Sequence, residues 1–522
     1  MNEEIEEYYE ELYRLYIDEN QPLERRYRQL RESLERVVRE KIQGNSLQTT
    51  DLAARINYVA TQYGLDLKEQ NQLHTFRLTS NDILNHRKSP VKEEFLRDLR
   101  AVAYAYRKMF AQDIPLKLFS VLPKQEIASS GKKEKMEYIR RIRVCFDYAD
   151  DTYLYVHPVD VIADEPIRVV YNKPGINHEF EETIKELWRY AQLNLLDVSV
   201  DRDGIYTPSF IVLEPDYLID ISSLAECYKD YGSHPANYFL SRLVPIDNAR
   251  PLLLGNIANL FLDEWIHAGE EEPDYIDCMK KAFRQYPIEL AACAELRDPS
   301  KEKEFAKDCR MHFEHIRDVV QHTFLEPGYN LDKKEAVLEP SYICEALGIQ
   351  GRLDYMQRDM SSFIEMKSGK ADEFSMQGKV EPKENNKVQM LLYMAVLEYS
   401  MGQDRRRMHP YLLYTRYPLL YPARASWAQV RRVINLRNRI VAAEYGVQFH
   451  NHPDFTRNLL AQINPEVVNE RKLSGRFWEQ YLKPSISRFR EKLSALEPLE
   501  QAYFYTLYNF ITKELYTSKS GD

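Results

Sequence analysis

The sequence predicts a mixed α/β chain that is mainly helical. Three observations carry this. Glycine numbers only 17 in 522 residues, about half the usual share, which leaves few tight hairpins. Apolar residues recur at helical spacing through most of the chain. Strand-like alternation is confined to residues 135–220 and to short stretches after 349.

Length bounds the rest. A chain of 522 residues has room for several domains at roughly 150 residues each. Acidic residues number 81 and basic residues 71, for a formal charge of −10. That balance excludes a protein held to DNA or to an anionic membrane by bulk positive charge, but it permits a local basic groove. The six cysteines show no C-x-x-C spacing, so a zinc ribbon or a thioredoxin-like motif is not expected. A chain of this length needs no disulfides, which fits a reducing interior. No basic-then-apolar leader opens the sequence and no long apolar run crosses it, so the expected location is cytoplasmic, nucleoid-associated in a bacterium, and neither secreted nor membrane-bound.

Residues 1–43 read as two helices. One carries the stripe Ile5, Tyr8, Tyr9, Leu12, Leu15, Tyr16, and the other Leu23, Tyr27, Leu30, Leu34, Val37. GNSLQTT (44–50) reads as a linker. Asp51 is placed to cap a short helix that stops at Gly64, and another helix fits 91–111. Then the period changes: YIRRIRVCFDY, TYLYVHPV, IRVVYN, LLDVSV and SFIVLE read as strands, with a helix at about 178–192. The pattern is helical again from 221 to 330. Strands follow at 349–356 and 362–367, a helix at 387–400, a strand at 411–416, a helix at 426–445 and two helices over 470–516. The expected domains are a helical region (1–130), a small mixed β domain (135–220), a large α/β domain (221–516) and a linker (517–522) that continues into a longer protein.

The chemistry lies in GIQGRLDYMQRDMSSFIEMKSGKA (348–371) and NNKVQMLLYMAVLEY (385–399). Glu365 and Lys367 are two apart on one strand, so they share a face. The short connection from the preceding strand brings Asp354 beside Glu365. Two carboxylates and a lysine make a hard oxygen site for Mg²⁺ or Mn²⁺ with a fixed cation next to it. That combination suits phosphodiester hydrolysis. Gln389 and Tyr393 are four apart on a helix and share one face. A lone E-x-K is common on solvated strands. Here the charges sit among Leu353, Phe363, Ile364 and Met366, where an unpaired charge is costly.

These motifs, in the order G-x-L-D, E-x-K-S-G-K, Q-x-x-x-Y, resemble the PD-(D/E)XK nucleases of the RecB type. The resemblance is closest to the nuclease half of the flap-processing helicase–nuclease family, and it runs from about 205 to 515. It implies a restriction-endonuclease-like core: a short mixed sheet flanked by helices. It also implies metal binding by Asp354 and Glu365 with the backbone carbonyl of Met366, a catalytic Lys367, and Gln389 and Tyr393 orienting that lysine and touching the DNA backbone. Glu339 is implied as a supporting residue and Lys370 as a phosphate contact. VRRVINLRNRIVAAEY resembles the helix carrying the family's R-N pair, here Arg437 and Asn438, implied as DNA contacts. Arg405, Arg406 and Arg407 are weaker candidates for phosphate contacts, as are Lys132, Lys133, Lys135, Arg140, Arg141 and Arg143, with Tyr138 and Phe146 as stacking rings.

Two departures matter. Where the family's leading helix carries a metal-binding histidine, this chain has Asn259, whose carbonyl oxygen is the weaker ligand. Many relatives also hold an iron–sulfur cluster on late cysteines. No cysteine follows Cys344 here, so no cluster is expected, and packing by Phe477, Trp478, Tyr481 and Phe489 takes its place. No phosphate-loop motif is present, so no ATP site is expected. The function expected is a Mg²⁺- or Mn²⁺-dependent deoxyribonuclease acting on single-stranded or flapped DNA in repair, replication or defence. It would work with a helicase in the same longer protein or in a separate chain. The rival reading is a DNA-binding clamp or scaffold with a weakened centre.

Overall fold

Residues Glu3–Ile17, Leu23–Ile42, Leu52–Tyr63, Leu67–Leu84 and Lys92–Phe110 form five long helices. The computed structural model describes residues 3–42, 52–123, 138–160, 165–201, 203–244, 250–329, 331–374, 379–424 and 426–520. The expected linker 44–50, the Asp51 cap and Lys132, Lys133 and Lys135 lie outside them. The Leu67–Leu84 helix was not anticipated, although its start is written in a capping box. Asp66 accepts from the Glu69 N–H at 2.8 Å, and the Glu69 carboxylate accepts from the Asp66 N–H at 2.9 Å. The first helix is closed by Arg26, whose Nε donates to the Leu15 carbonyl at 2.7 Å.

The strands β1 (Tyr138–Ala149), β2 (Tyr153–Pro158), β3 (Ile167–Val170), β4 (Gln192–Val200), β5 (Tyr206–Thr207) and β6 (Phe210–Leu213) form one sheet. β1 pairs antiparallel with both β2 and β4, and β3 meets β5, so the order β1-β2-β3-β5-β4 closes on itself. The helix expected at 178–192 is mostly absent. Only Glu181–Lys185 is α-helical, after a single turn at His178–Phe180. Tyr190 adopts φ +72°, and its N–H donates to the Phe146 carbonyl at 2.8 Å, which turns the chain into β4. Phe146 is buried, which removes it as a stacking ring.

The helical and β regions expected as two domains belong to one compact unit, Met1–Pro215, with Val441–Asn451 and Asn509–Asp522. Its core joins Leu30, Leu34, Phe76, Leu99 and Tyr106 of the helices to Cys145 and Tyr190.

The second unit is Asp216–Ile440 with His452–Tyr508. One small sheet has the order β7 (Ile219–Asp220), β10 (Ile349–Arg352), β9 (Ser341–Cys344). A second runs β16 (Leu419–Pro422), β15 (His409–Tyr414), β12 (Ser362–Lys367), β11 (Tyr355–Gln357), β8 (Ala336–Leu338). A ribbon of β13 (Asp372–Phe374) and β14 (Lys379–Glu381) completes the set. The strand expected at 349–356 is therefore two strands in two sheets. The break falls at Leu353–Asp354, where the Leu353 N–H donates to the Pro340 carbonyl and the Glu339 N–H to the Asp354 carbonyl, both at 3.1 Å.

β12 and β15 are parallel, in register from Ser362↔His409 to Lys367↔Tyr414. The helices Arg250–His267 and Pro299–Gln321 cover one sheet face, packing on Tyr355, Ile364, Met366, Tyr411 and Leu413. The Glu384–Met401 helix serves the other face: Asn386 Nδ2 donates to the Tyr414 hydroxyl at 2.6 Å. β12 is thus covered on both faces, as a parallel strand requires. The chain is mixed α/β and mainly helical, as expected. The Pro498–Ser520 helix continues through 517–520, which replaces the linker read there. Of the four aromatic residues expected to pack near 477–489, Trp478 is buried against Tyr231, whereas Phe477 and Tyr481 are exposed. Among the described residues no helix is long and apolar enough to cross a membrane.

Candidate active site

Glu365 sits in the middle of buried strand residues and is only 4% exposed. β11 and β12 pair with Tyr355 opposite Ile364, which sets Asp354 beside Glu365. Asp354 Oδ2 accepts from the Met366 N–H at 2.6 Å. Lys367 Nζ donates to Glu365 Oε1 at 2.8 Å and to Gln389 Oε1 at 2.9 Å. Gln389 Nε2 donates to the same Glu365 Oε1 at 2.7 Å. One carboxylate oxygen of Glu365 is therefore held twice. The other, Oε2, is buried with no hydrogen-bond partner. A bare buried carboxylate oxygen is costly, and the neighbouring Asp354 adds to that cost.

The electrostatics follow from that geometry. Burial, and then the neighbouring Asp354, push the Glu365 carboxyl up to about 8. Burial also raises Asp354, against the Met366 N–H and Lys367, which pull it down. Burial alone would lower the Lys367 ammonium, but Glu365, Asp354 and Glu226 together hold it above its ordinary value. Without a further cation the pocket has an excess of negative charge. It relieves this by holding a proton.

A residue the motif reading missed completes the pocket. Asp263 lies on the Arg250–His267 helix, four residues after Asn259 and eight after Gly255, so the three share a face. At the first of them the helix approaches the loop after β12 closely: a Cβ on Gly255 would stand 3.4 Å from Ser368 Oγ. At the third, burial followed by Glu339 and Asp354 push the Asp263 carboxyl up to about 6, against a weaker pull from His267. Glu339 holds φ +50°, a strained backbone for a non-glycine residue. Its carboxylate accepts from Arg352 Nη1 at 3.1 Å. The i, i+4 spacing from the G-x-x-x-N pattern was the available signal for Asp263.

The remaining candidates divide. Lys370 is exposed in the loop that leaves β12. Tyr393 is buried, and its hydroxyl donates to the Arg352 carbonyl at 2.5 Å, which braces the turn before Asp354. Arg437 and Asn438, expected at DNA, are 0% exposed. Arg437 Nε donates to the Gly348 carbonyl at 3.1 Å and Nη2 to the Tyr217 carbonyl at 2.6 Å, which ties two segments of backbone together. Gly348 has φ +64°, and a Cβ there would collide with the guanidinium, so the glycine of GIQG serves this staple. Arg405 is committed to Glu398 at 3.7 Å and lies 4.7 Å from the Trp427 ring centroid. Arg406 and Arg407 are exposed. All three precede the start of β15, about five residues or ~16 Å from the Lys367 end.

Among the described residues, no three His, Cys, Asp or Glu side chains already converge as a ready metal centre. The acids that come nearest to one are Asp354 and Glu365, with Asp263 and Glu339 within electrostatic reach of Asp354, and carboxylate oxygens are the donors a hard cation takes. No protein-family model and no curated protein matches the chain.

Proposed function

We propose that the chain is a metal-dependent deoxyribonuclease of the PD-(D/E)XK type that hydrolyses phosphodiester bonds in single-stranded or flapped DNA, alongside a helicase. The observation that carries this reading is the asymmetry of Glu365. One oxygen is fixed by Lys367 and Gln389, and the other is buried without a hydrogen-bond partner on a carboxylate that has Asp354 as its neighbour. An ion pair built only for stability would satisfy both oxygens.

The residues divide the work. Asp354, Glu365 and the Met366 carbonyl would hold Mg²⁺ or Mn²⁺, with Asn259 at the position of the family's histidine and Asp263 one turn further along the same helix. Such an ion lowers the pKa of water and offsets phosphate charge. Lys367, held above its ordinary pKa, keeps its ammonium at neutral pH and offers it to a phosphate oxygen as charge builds there. Gln389 fixes the ammonium's direction through one hydrogen bond and steadies Glu365 through another. In the overall reaction a water attacks phosphorus, the P–O bond to the leaving oxygen breaks, and the water's proton ends on that oxygen.

The test is cleavage of end-labelled single-stranded and flapped DNA with Mg²⁺ or Mn²⁺. The wild type should cut only with the ion, and Glu365→Ala and Lys367→Ala should each lose about 10²–10³-fold or more in rate. Cutting that survives in both variants, or no cutting by the wild type, overturns the reading. The rival is a DNA-binding clamp or scaffold without cleavage. Asn259 at the histidine position and the elevated Glu365 carboxyl favour it, because both weaken ion binding. It predicts DNA binding with no cutting.

A further inference from the structure

β12 and β15 are parallel neighbours, and in such sheets ligands gather beyond the carboxyl ends of the strands. Lys367 ends β12, and Tyr414 ends β15 beside it. Just past that end the Thr415 N–H donates to the Lys367 carbonyl at 3.0 Å. The next residue, Arg416, is half-buried. Among the described residues it makes no hydrogen bond or ion pair, although it stands close enough to oppose protonation of His312.

Two histidines of the Pro299–Gln321 helix meet this point. His315 Nδ1 is 3.0 Å from the Thr415 carbonyl, so that nitrogen donates there and Nε2 stays open. His312 is 1% exposed, yet neither ring nitrogen has a hydrogen-bond partner of good geometry, although the Thr415 backbone lies against it. Asp308, an acid within electrostatic reach of His312, is paired with Arg250. Ser368 and Lys370 lie in the loop at the end of the neighbouring strand. An uncommitted arginine, a histidine with one open nitrogen and a buried histidine set against the Thr415 backbone thus collect one residue beyond the candidate catalytic lysine. This happens in a chain of net charge −10.

We propose that Arg416 and His315, backed by His312, form a phosphate clamp for the nucleic-acid backbone, holding a phosphodiester next to the one that is cut. This rests on the nuclease reading and deepens it. Arg416 supplies a planar fork of donors suited to two phosphate oxygens. Thr415 fixes the direction of His315 and ties the clamp to the Lys367 strand. The strand of DNA would then pass from the clamp round the carboxyl end of the sheet to Lys367 and the carboxylate pocket on its other face. The clamp positions the substrate and takes no part in bond breaking.

The experiment is fluorescence anisotropy of a fluorescein-labelled oligothymidylate with the full chain in EDTA, across a salt series. Steady-state cleavage with Mn²⁺ runs in parallel. Arg416→Gln should weaken binding about tenfold and reduce the salt slope by about 1, as the loss of one phosphate contact does. In cleavage it should raise KM with kcat nearly unchanged. His315→Asn should weaken binding less, and Arg416→Lys should recover part of the loss by restoring charge without the fork. Arg406→Gln should bind as the wild type. Binding by Arg416→Gln equal to the wild type, or an equal loss in Arg406→Gln, overturns the clamp. If the wild type cuts DNA in that case, the nuclease reading stands alone. No binding by the wild type overturns both.

Discussion

The two ends of the parallel pair β12–β15 use nitrogen-bearing side chains in opposite ways. At the amino end, three consecutive arginines precede β15. Arg405 is committed to Glu398 and Trp427, and its two neighbours face solvent. At the carboxyl end, Lys367, Arg416, His312 and His315 come from three segments scattered over 105 positions of sequence, from 312 to 416. They are half-buried or buried and are held by one another's backbone. A run of like charge is conspicuous in a sequence and cheap on a surface, where solvent screens it. Hydrogen-bond donors brought together from separate segments at partly buried positions, with an uncommitted arginine among them, are costly unless a ligand meets them. The second arrangement marks a site more surely than the first.

Several substitutions sharpen or break that contrast. The largest effect belongs to the carboxylate pocket. Asp354→Ala should abolish metal-dependent cutting, with about 10²–10³-fold or greater loss. Because it removes one of two facing buried carboxylates, it should not lower the melting temperature much. A collapse of the fold would mean that the pocket is a structural ion pair. Next is the Arg437 staple. Arg437→Ala removes the donors that reach the Gly348 and Tyr217 carbonyls and opens a cavity, for an expected loss of about 3–5 kcal/mol by urea denaturation. Near-wild-type stability with weakened DNA binding would return Arg437 to the DNA contacts. A smaller effect is expected at Asp263. Asp263→Asn should weaken Mn²⁺ affinity about 10–100-fold, as loss of a metal-supporting group does. It should leave metal-free DNA binding unchanged. Asn259→His, which restores the imidazole that the resemblance implies, should instead strengthen Mn²⁺ binding. The smallest effect is at the amino end, where Arg406→Gln and Arg407→Gln should leave both binding and cutting unchanged within error.

How much of this was legible beforehand follows from local against non-local causes. Asp354, Glu365, Lys367 and Gln389 could be read because strand period 2, a short connection and a helical i, i+4 pair fix their faces. The structure brings those four together. Elements with strong periods, such as Leu23–Ile42, Lys92–Phe110 and β12, lie where periodicity places them. The split of 349–356 into two strands could not be read. It depends on hydrogen bonds from Leu353 to Pro340 and from Glu339 to Asp354, which are made between segments. The helix expected at 178–192 lost to barrel closure, because Tyr190, Ala191 and Gln192 are buried in the sheet. The R-N pair was read from resemblance as a DNA contact, but nothing local distinguishes an arginine that grips DNA from one that grips its own backbone. His315 and Arg416 carry no motif and become neighbours only through packing of the Pro299–Gln321 helix on β15.

The central claim is that the pocket of Asp354 and Glu365 takes a divalent cation, and calorimetric titration of Mn²⁺ into the DNA-free chain tests it most directly. The Glu365 carboxyl is pushed up to about 8 and that of Asp263 to about 6. Near neutral pH a proton on Glu365 must therefore leave as the ion binds. Below pH 6 both acids hold protons and compete with the ion, so affinity should rise from pH 6 to pH 8. The account predicts binding to the wild type with about one proton released at pH 7, read from buffers of different ionisation heat, and no such binding in Glu365→Ala. No binding by the wild type at pH 8, or the same binding and proton release in Glu365→Ala, would contradict it.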